Sequence, residues 1–292
     1  NICFDPAYTR QHPDLLPIDQ HGNRAVQEDW YVGMAPDREE NLAHKIGLLE
    51  TAVRELQPEG IHLVFIRWPG FWETWLPDTP RASRPHYSYA PDTLRRFRDD
   101  TGADVPIDQP VQAAARIASH YREAWRDWKC GVTVSAIGRI RNAVRAIKGD
   151  TEIAINTLPF FRSDFDDAVT EVFGQDVSRL DAVVDVFEVM AYHQILRRDS
   201  AWPARIASDI KQRGKARAIC TLQAKAIYLD GMHTGHGRAH DLGAEEFSDA
   251  VGRLETSPVD GVCVFTLSQL IERSETADGK AMIARLKNFR RG

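Results

Sequence analysis

Apolar positions along the chain alternate between two periods. From about Arg38 to Gln57 they fall at Leu42, Ile46, Leu49, Val53 and Leu56, at steps of four, three, four and three, which gathers them into one stripe of an amphipathic helix. Pro58 and Gly60 end that helix. Ile61 to Trp68 is then continuously apolar and β-rich, as expected of a strand covered on both faces. A short helix is expected at about Pro91 to Thr101 and a longer helical region at about Val111 to Lys148. The longer one carries Ile117, Tyr121, Trp125 and Trp128 on one face, with Gly131 and Gly138 as candidate breaks. The units then repeat: strand Glu152 to Leu158, helix Asp164 to Phe173, strand Val183 to Tyr192, helix Trp202 to Arg213, strand Arg217 to Gln223, helix Ala244 to Leu254, strand Gly261 to Thr266 and helix Thr276 to Phe289.

Strands alternating with helices imply a parallel sheet. With the short apolar run at Asn1 to Phe4 the tally is six strands, and a (β/α)8 barrel of the TIM type, which needs about 250 residues, fits the length. Such a barrel needs two more strands, and the abrupt start at NICF places them upstream, so Ile61 to Trp68 counts as the fourth. We therefore expect a single barrel domain over residues 1–292, lacking its first one or two strands in this chain. An open doubly wound sheet is the alternative, weakened because no Gly-rich phosphate loop follows any strand.

Composition narrows the partners. The 37 basic and 42 acidic residues are dispersed, with no basic run to track a phosphate backbone, so nucleic acid is not expected. No apolar run reaches the roughly 18 residues of a membrane span. The chain opens on what reads as strand, so a signal segment is not visible, and a periplasmic or secreted location stays open. Cys3, Cys130, Cys220 and Cys263 lie far apart, three of them in strand-like runs, which suits buried thiols better than disulfides.

In parallel α/β folds the chemistry sits at the carboxyl ends of strands. The long segment after Ile61 to Trp68 offers Arg67, Trp68, Phe71, Trp72, Glu73, Trp75 and Asp78. Indole faces stack on the apolar faces of sugar rings while Arg and carboxylates take hydroxyls, so Trp68, Trp72 and Trp75 are candidate subsites; the alternative is a loop that packs its own aromatics. In VVDVFEVMAYHQIL, period two puts Glu188, Met190 and Tyr192 on one face, with Glu188 pointing inward. An inward acid needs a partner, such as Arg67 or Lys225, or serves as a general acid. His193 follows at the rim as a hydrogen-bonding group. Asp5, Asn156, Gln223 with Lys225, and Ser268 with Gln269 end other strands; each can bind a hydroxyl or cap a helix. His233, His236 and His240, in HTGHGRAH, are read as a Gly-rich loop rather than a metal site, with a metal-dependent hydrolase as the minor alternative. No cofactor or metal is expected.

The runs GIHLVFIRWPGFWETW, YSYAPDTLRRFRDDTGADVP, HYREAWRDWK, VVDVFEVMAYHQIL and DGVCVFTLSQL, in that order, resemble the glycoside-hydrolase-like barrel proteins called family-ten-like glycosidases. The resemblance implies a bacterial (β/α)8 barrel that acts on or binds a polysaccharide, with this signature strand fourth. His62, Arg67 and Pro69 match the signature and place His62 and Arg67 at the site. Val64 stands where the family carries an inward Asp. Glycoside hydrolysis uses two carboxyl groups, so the expectation is a glycosidase whose pair is Glu73 and Glu188, with Arg67 and Tyr192 orienting substrate. The alternative is a noncatalytic carbohydrate-binding barrel that has lost a carboxylate at Val64.

Overall fold

The computed structural model describes residues 1–26, 33–225 and 242–290, so the HTGHGRAH run lies outside the described residues. The chain divides into two compact units: Asn1–Gly70, Pro80–Asn156 and Arg162–Val184 form the first; Phe71–Thr79, Thr157–Phe161 and Asp185–Gly292 form the second.

The first unit begins with helix α1 (Pro6–Gln11), whose N-cap is Asp5; the Asp5 carboxylate accepts from the Tyr8 amide at 3.0 Å. Helix α2 (Glu39–Leu56) closes on Gln57 in the left-handed region, just before Pro58. Strand β1 (Gly60–Leu63) follows and pairs in parallel with β2 (Glu152–Thr157), Ile61 opposite Ile153 and Leu63 opposite Ile155. β1 is shorter than the apolar run suggested, because Phe65 turns into the left-handed region at φ 60°. NICF is not a strand either. It runs beside the end of β1, the Ile2 amide donating to Val64 O at 2.9 Å and the Cys3 amide to Phe65 O at 3.2 Å.

Between β1 and β2 lie helices α3 (Pro91–Thr101), α4 (Pro110–Arg116) and α5 (Arg122–Ile147). Pro91 opens α3, where its missing N–H costs nothing, and Gly102 closes it at φ 73°. The face expected on the long helix is real: Ile117 and Trp125 pack with Phe97, Leu94 and Tyr89, with Tyr121 and Trp128 beside them. Its interruption, however, is a wide π turn at Ile117–Tyr121, not a break at Gly131 or Gly138. The helix expected at Asp164 to Phe173 shrinks to α6 (Ala168–Glu171), because Phe165, Asp166 and Asp167 are all left-handed, and a further short helix, α7 (Val177–Leu180), follows.

The second unit carries β3 (Val186–Met190), β4 (Arg217–Gln223) and β5 (Gly261–Phe265), parallel and adjacent in that order. Helix α8 (Trp202–Gln212) connects β3 to β4, α9 (Ala244–Glu255) precedes β5, and α10 (Leu267–Glu272) and α11 (Ala277–Lys287) end the chain. α8 covers one face of the sheet, where the Cys220 thiol meets the Pro203 carbonyl at 3.8 Å. Residues Thr266 and Gln269 form a capping box on α10, the helix-cap use open to Gln269 in the sequence. Among the described residues the pairings of β1 with β2, β3 with β4 and β4 with β5 are parallel, and helices alternate with strands, which makes the chain α/β. No helix among the described residues is long and apolar enough to cross a membrane.

Candidate functional site

Strand register decides which side chains share a face in the second unit. Glu188 lies opposite Ile219 and Met190 opposite Thr221; Ile219, Thr221 and Gln223 lie opposite Gly261, Cys263 and Phe265. In-register residues of parallel strands point the same way. Glu188, Thr221, Cys263, Gln223 and Phe265 therefore occupy the face turned away from α8. Glu188 is half-buried and accepts a hydrogen bond from the fully buried Thr221 hydroxyl at 2.5 Å. The Thr157 hydroxyl donates to the Glu188 backbone carbonyl at 3.2 Å and steadies the strand beneath it.

At the C-terminal ends of these strands the aromatic side chains meet. The Tyr192 ring stacks on Phe265 with centroids 5.5 Å apart and 19° between planes, and also contacts Trp72 at 5.6 Å; Trp72 meets Phe160 at 6.3 Å. Phe265 is 41% exposed, so a ring face remains open at the end of β5. Gln223, in register with Phe265, is 3% exposed and its Oε1 has no hydrogen-bond partner among the described residues. A buried amide oxygen left unpaired costs roughly 1–3 kcal/mol, so its place beside an open aromatic ring is informative. Glu73 sits half-buried in the short 3-10 turn Trp72–Thr74, carried by the segment whose Trp72 packs on Tyr192.

The other expected site residues lie in varied surroundings. Trp68, Trp72 and Trp75 are 0%, 2% and 1% exposed, which corrects the picture of three indoles lining subsites. Trp68, in the first unit, donates from Nε1 to the Lys129 carbonyl at 3.1 Å and packs against Trp125 and Trp128. His193 is also corrected. It is buried rather than at a rim, with Nε2 3.0 Å from Glu246 Oε1 on α9. In the first unit, Asp5 caps α1 and pairs with Lys45 at 2.6 Å. Burial pulls the Asp5 carboxyl up, but Lys45 and the Tyr8 and Ala7 amides together outweigh it and hold the group below its ordinary value. Arg67 is buried, its guanidinium 5.2 Å from the Phe65 ring centre, and His62 is exposed on β1.

Sequence reasoning missed Phe265, Thr221 and Cys263. The period-two pattern of β4 and β5 was readable; the pairing that aligns them with Glu188 was not. Cys263 also departs from the expected buried thiols: it is exposed, while Cys3, Cys130 and Cys220 are buried. Burial on one side, then the nearby Glu188 carboxylate, pushes the Cys263 thiol up. No group of three His, Cys, Asp or Glu side chains among the described residues is arranged to hold a metal ion.

Parallel strands joined through helices, with a polar and aromatic cluster at the C-terminal ends of β3 to β5, define an α/β fold. The likeness to solved structures gives this class its particulars. The glycoside hydrolase domain of PgaB (BpsB) from Bordetella bronchiseptica matches with a TM-score of 0.60 at 14% identity, over 90% of this chain and 68% of that one. A β-galactosidase from Bacillus circulans sp. alkalophilus matches with a TM-score of 0.63 at 10% identity, over 99% of this chain and 45% of that one. A β-galactosidase from the psychrophilic Marinomonas ef1 gives 0.59 and 11%, over 90% and 42%. The chain thus spans about two thirds of the first of these and less than half of the other two. At such identities the likeness shows the fold, the (β/α)-barrel type of which this chain carries five described strands. No known family model matches the sequence, and no curated protein matches it significantly.

Proposed function

We propose that the protein is a glycoside hydrolase acting on a poly- or oligosaccharide, with Glu188 and Glu73 as its carboxyl pair. The observation that carries this reading is the shared face of Glu188, Gln223 and the open ring of Phe265. Glycosidic bond cleavage through an oxocarbenium-like transition state needs one carboxyl group to protonate the leaving oxygen and a second to act as base or nucleophile. Glu188 stands on a strand, where its position is rigid. Glu73 stands on a loop turn tethered through Trp72 to Tyr192, which permits adjustment around a bound substrate.

Binding follows from the same residues. Phe265, backed by Tyr192 and Trp72, offers a ring for the apolar face of a sugar, and Gln223 supplies the amide that a ring hydroxyl would satisfy. Arg67, His62, Trp68 and Asp5 sit in the first unit, and the proposal assigns them no step. Calorimetric titration of oligosaccharides into Glu188→Gln protein tests the binding half. Phe265→Ala and Gln223→Ala, each added to that background, are expected to weaken binding about tenfold, the equivalent of ~1.4 kcal/mol. Unchanged affinity in both variants would remove the proposed subsite.

A further inference from the structure

Three side chains on three adjacent strands form a chain across the face that carries Glu188. Thr221, on β4, donates from Oγ1 to Glu188 Oε1 on β3 at 2.5 Å, and Cys263 on β5 is in register with Thr221 as its direct neighbour on the same face. A hydroxyl has one proton to give and two lone pairs. With that proton committed to the carboxylate, Thr221 is left to accept the S–H of Cys263. The order across the face is therefore Cys263, Thr221 and Glu188, with the Thr221 proton turned to the carboxylate. The buried end is fixed, because Thr221 is 0% exposed and held in the β4 ladder.

We infer that Thr221 is a positioning residue for Glu188: it selects one rotamer of the carboxylate and favours its ionised form, while Cys263 orients the Thr221 hydroxyl. The inference rests on the reading of Glu188 as a member of the carboxyl pair. It adds that this acid is tuned from within the sheet, by the hydroxyl of the neighbouring strand. A donor to a carboxylate stabilises the charged form, so its removal raises the pH at which the group titrates. The consequence for the reaction is a division of labour. An acid held ionised suits the base or nucleophile role, which leaves proton donation to Glu73.

The test is the titration of the Glu188 carboxyl carbon, followed by NMR in protein labelled with 13C at glutamate side chains and assigned through Glu188→Gln. Thr221→Val, close in shape but lacking the hydroxyl, is expected to move the Glu188 midpoint up by about one pH unit. Thr221→Ser, which keeps the donor, is expected to return it to the wild-type position, and Cys263→Ala to shift it upward by less than Thr221→Val does. If Thr221→Val does not fold, Thr221→Ala carries the same expectation. Equal midpoints in wild type and the variant without a hydroxyl would overturn the inference, as would a Ser variant that shifts as far as Val or Ala. The measurement needs no turnover, so a protein that cleaves no glycan would defeat the glycosidase reading and leave this result standing. Where turnover is present, Thr221→Val lowers kcat about tenfold with KM unchanged, and its acidic limb moves with the NMR midpoint.

Discussion

Lys129 is the most demanding buried charge in the first unit, and its replacement by Met makes a quantitative test of the packing. The side chain is 0% exposed; Nζ donates to the Glu171 carbonyl at 2.5 Å and the Val172 carbonyl at 3.2 Å, and lies 5.8 and 5.7 Å from the Trp68 and Trp125 ring centres. Burial brings its pKa from 10.5 down to about 7, with Cys130 and Glu171 pulling it up and Arg81 pushing it further down. The sign follows from proton binding. Between pH 7 and 10.5 the unfolded chain holds the lysine proton and the native chain does not, so native stability rises with pH. The slope approaches ~1.4 kcal/mol per pH unit, and the whole window amounts to ~5 kcal/mol. Lys129→Met leaves the two carbonyls without this donor, at about 1–3 kcal/mol each, but that loss is independent of pH. Urea denaturation of both proteins at pH 7.5, 8.5 and 9.5 isolates the effect, since every other titrating group is common to the pair. The stability difference, wild type minus variant, is expected to move in favour of the wild type by ~1.4 kcal/mol per pH unit. A difference flat in pH would refute the account of Lys129 as a desolvated amine.

Two further perturbations probe the frame around the expected site residues. Gly174→Ala places a Cβ at φ 61° and 2.4 Å from Trp68 Cδ1, so it is expected to destabilise the protein by about 2–3 kcal/mol, read by thermal or urea unfolding; full stability would show that Trp68 is not locked in place. Asp5→Ala removes the α1 cap and the Lys45 ion pair, with an expected loss of about 1–2 kcal/mol at pH 7. Because the native Asp5 carboxyl titrates below its ordinary value, that contribution is present above about pH 4 and fades as pH falls through the native value. A penalty that persists undiminished at pH 2 would show that the charge is not what Asp5 contributes.

The ranges expected for α3, Pro91 to Thr101, and β4, Arg217 to Gln223, match the structure, because the signals that set them are local. Gly131 and Gly138 misled because a single glycine costs a long helix only about 1 kcal/mol, which the packing of α5 offsets. The left-handed run Phe165 to Asp167 has no glycine to announce it. The inward direction of Glu188 was legible from period two, whereas its partnership with Thr221 and the neighbourhood of Phe265 required the strand register. The tryptophans were legible as a concentration but not as buried: the partners that cover Trp68 lie on α5, distant in sequence. Asp5 and His193 show the same limit, since a polar residue after a strand serves a cap or a helix contact as readily as a substrate.

The central claim is that Glu188 and Glu73 cleave glycosidic bonds, and release of reducing ends from a panel of poly- and oligosaccharides by wild type, Glu188→Gln and Glu73→Gln tests it most directly. Positioned acid and base groups each contribute about 10²–10⁴ in rate, so wild type is expected to cleave at least one glycan and each variant to lose at least about 100-fold in kcat while still binding it. A wild type that binds glycans and cleaves none, or a pair of variants that cleave as fast as wild type, would contradict the account.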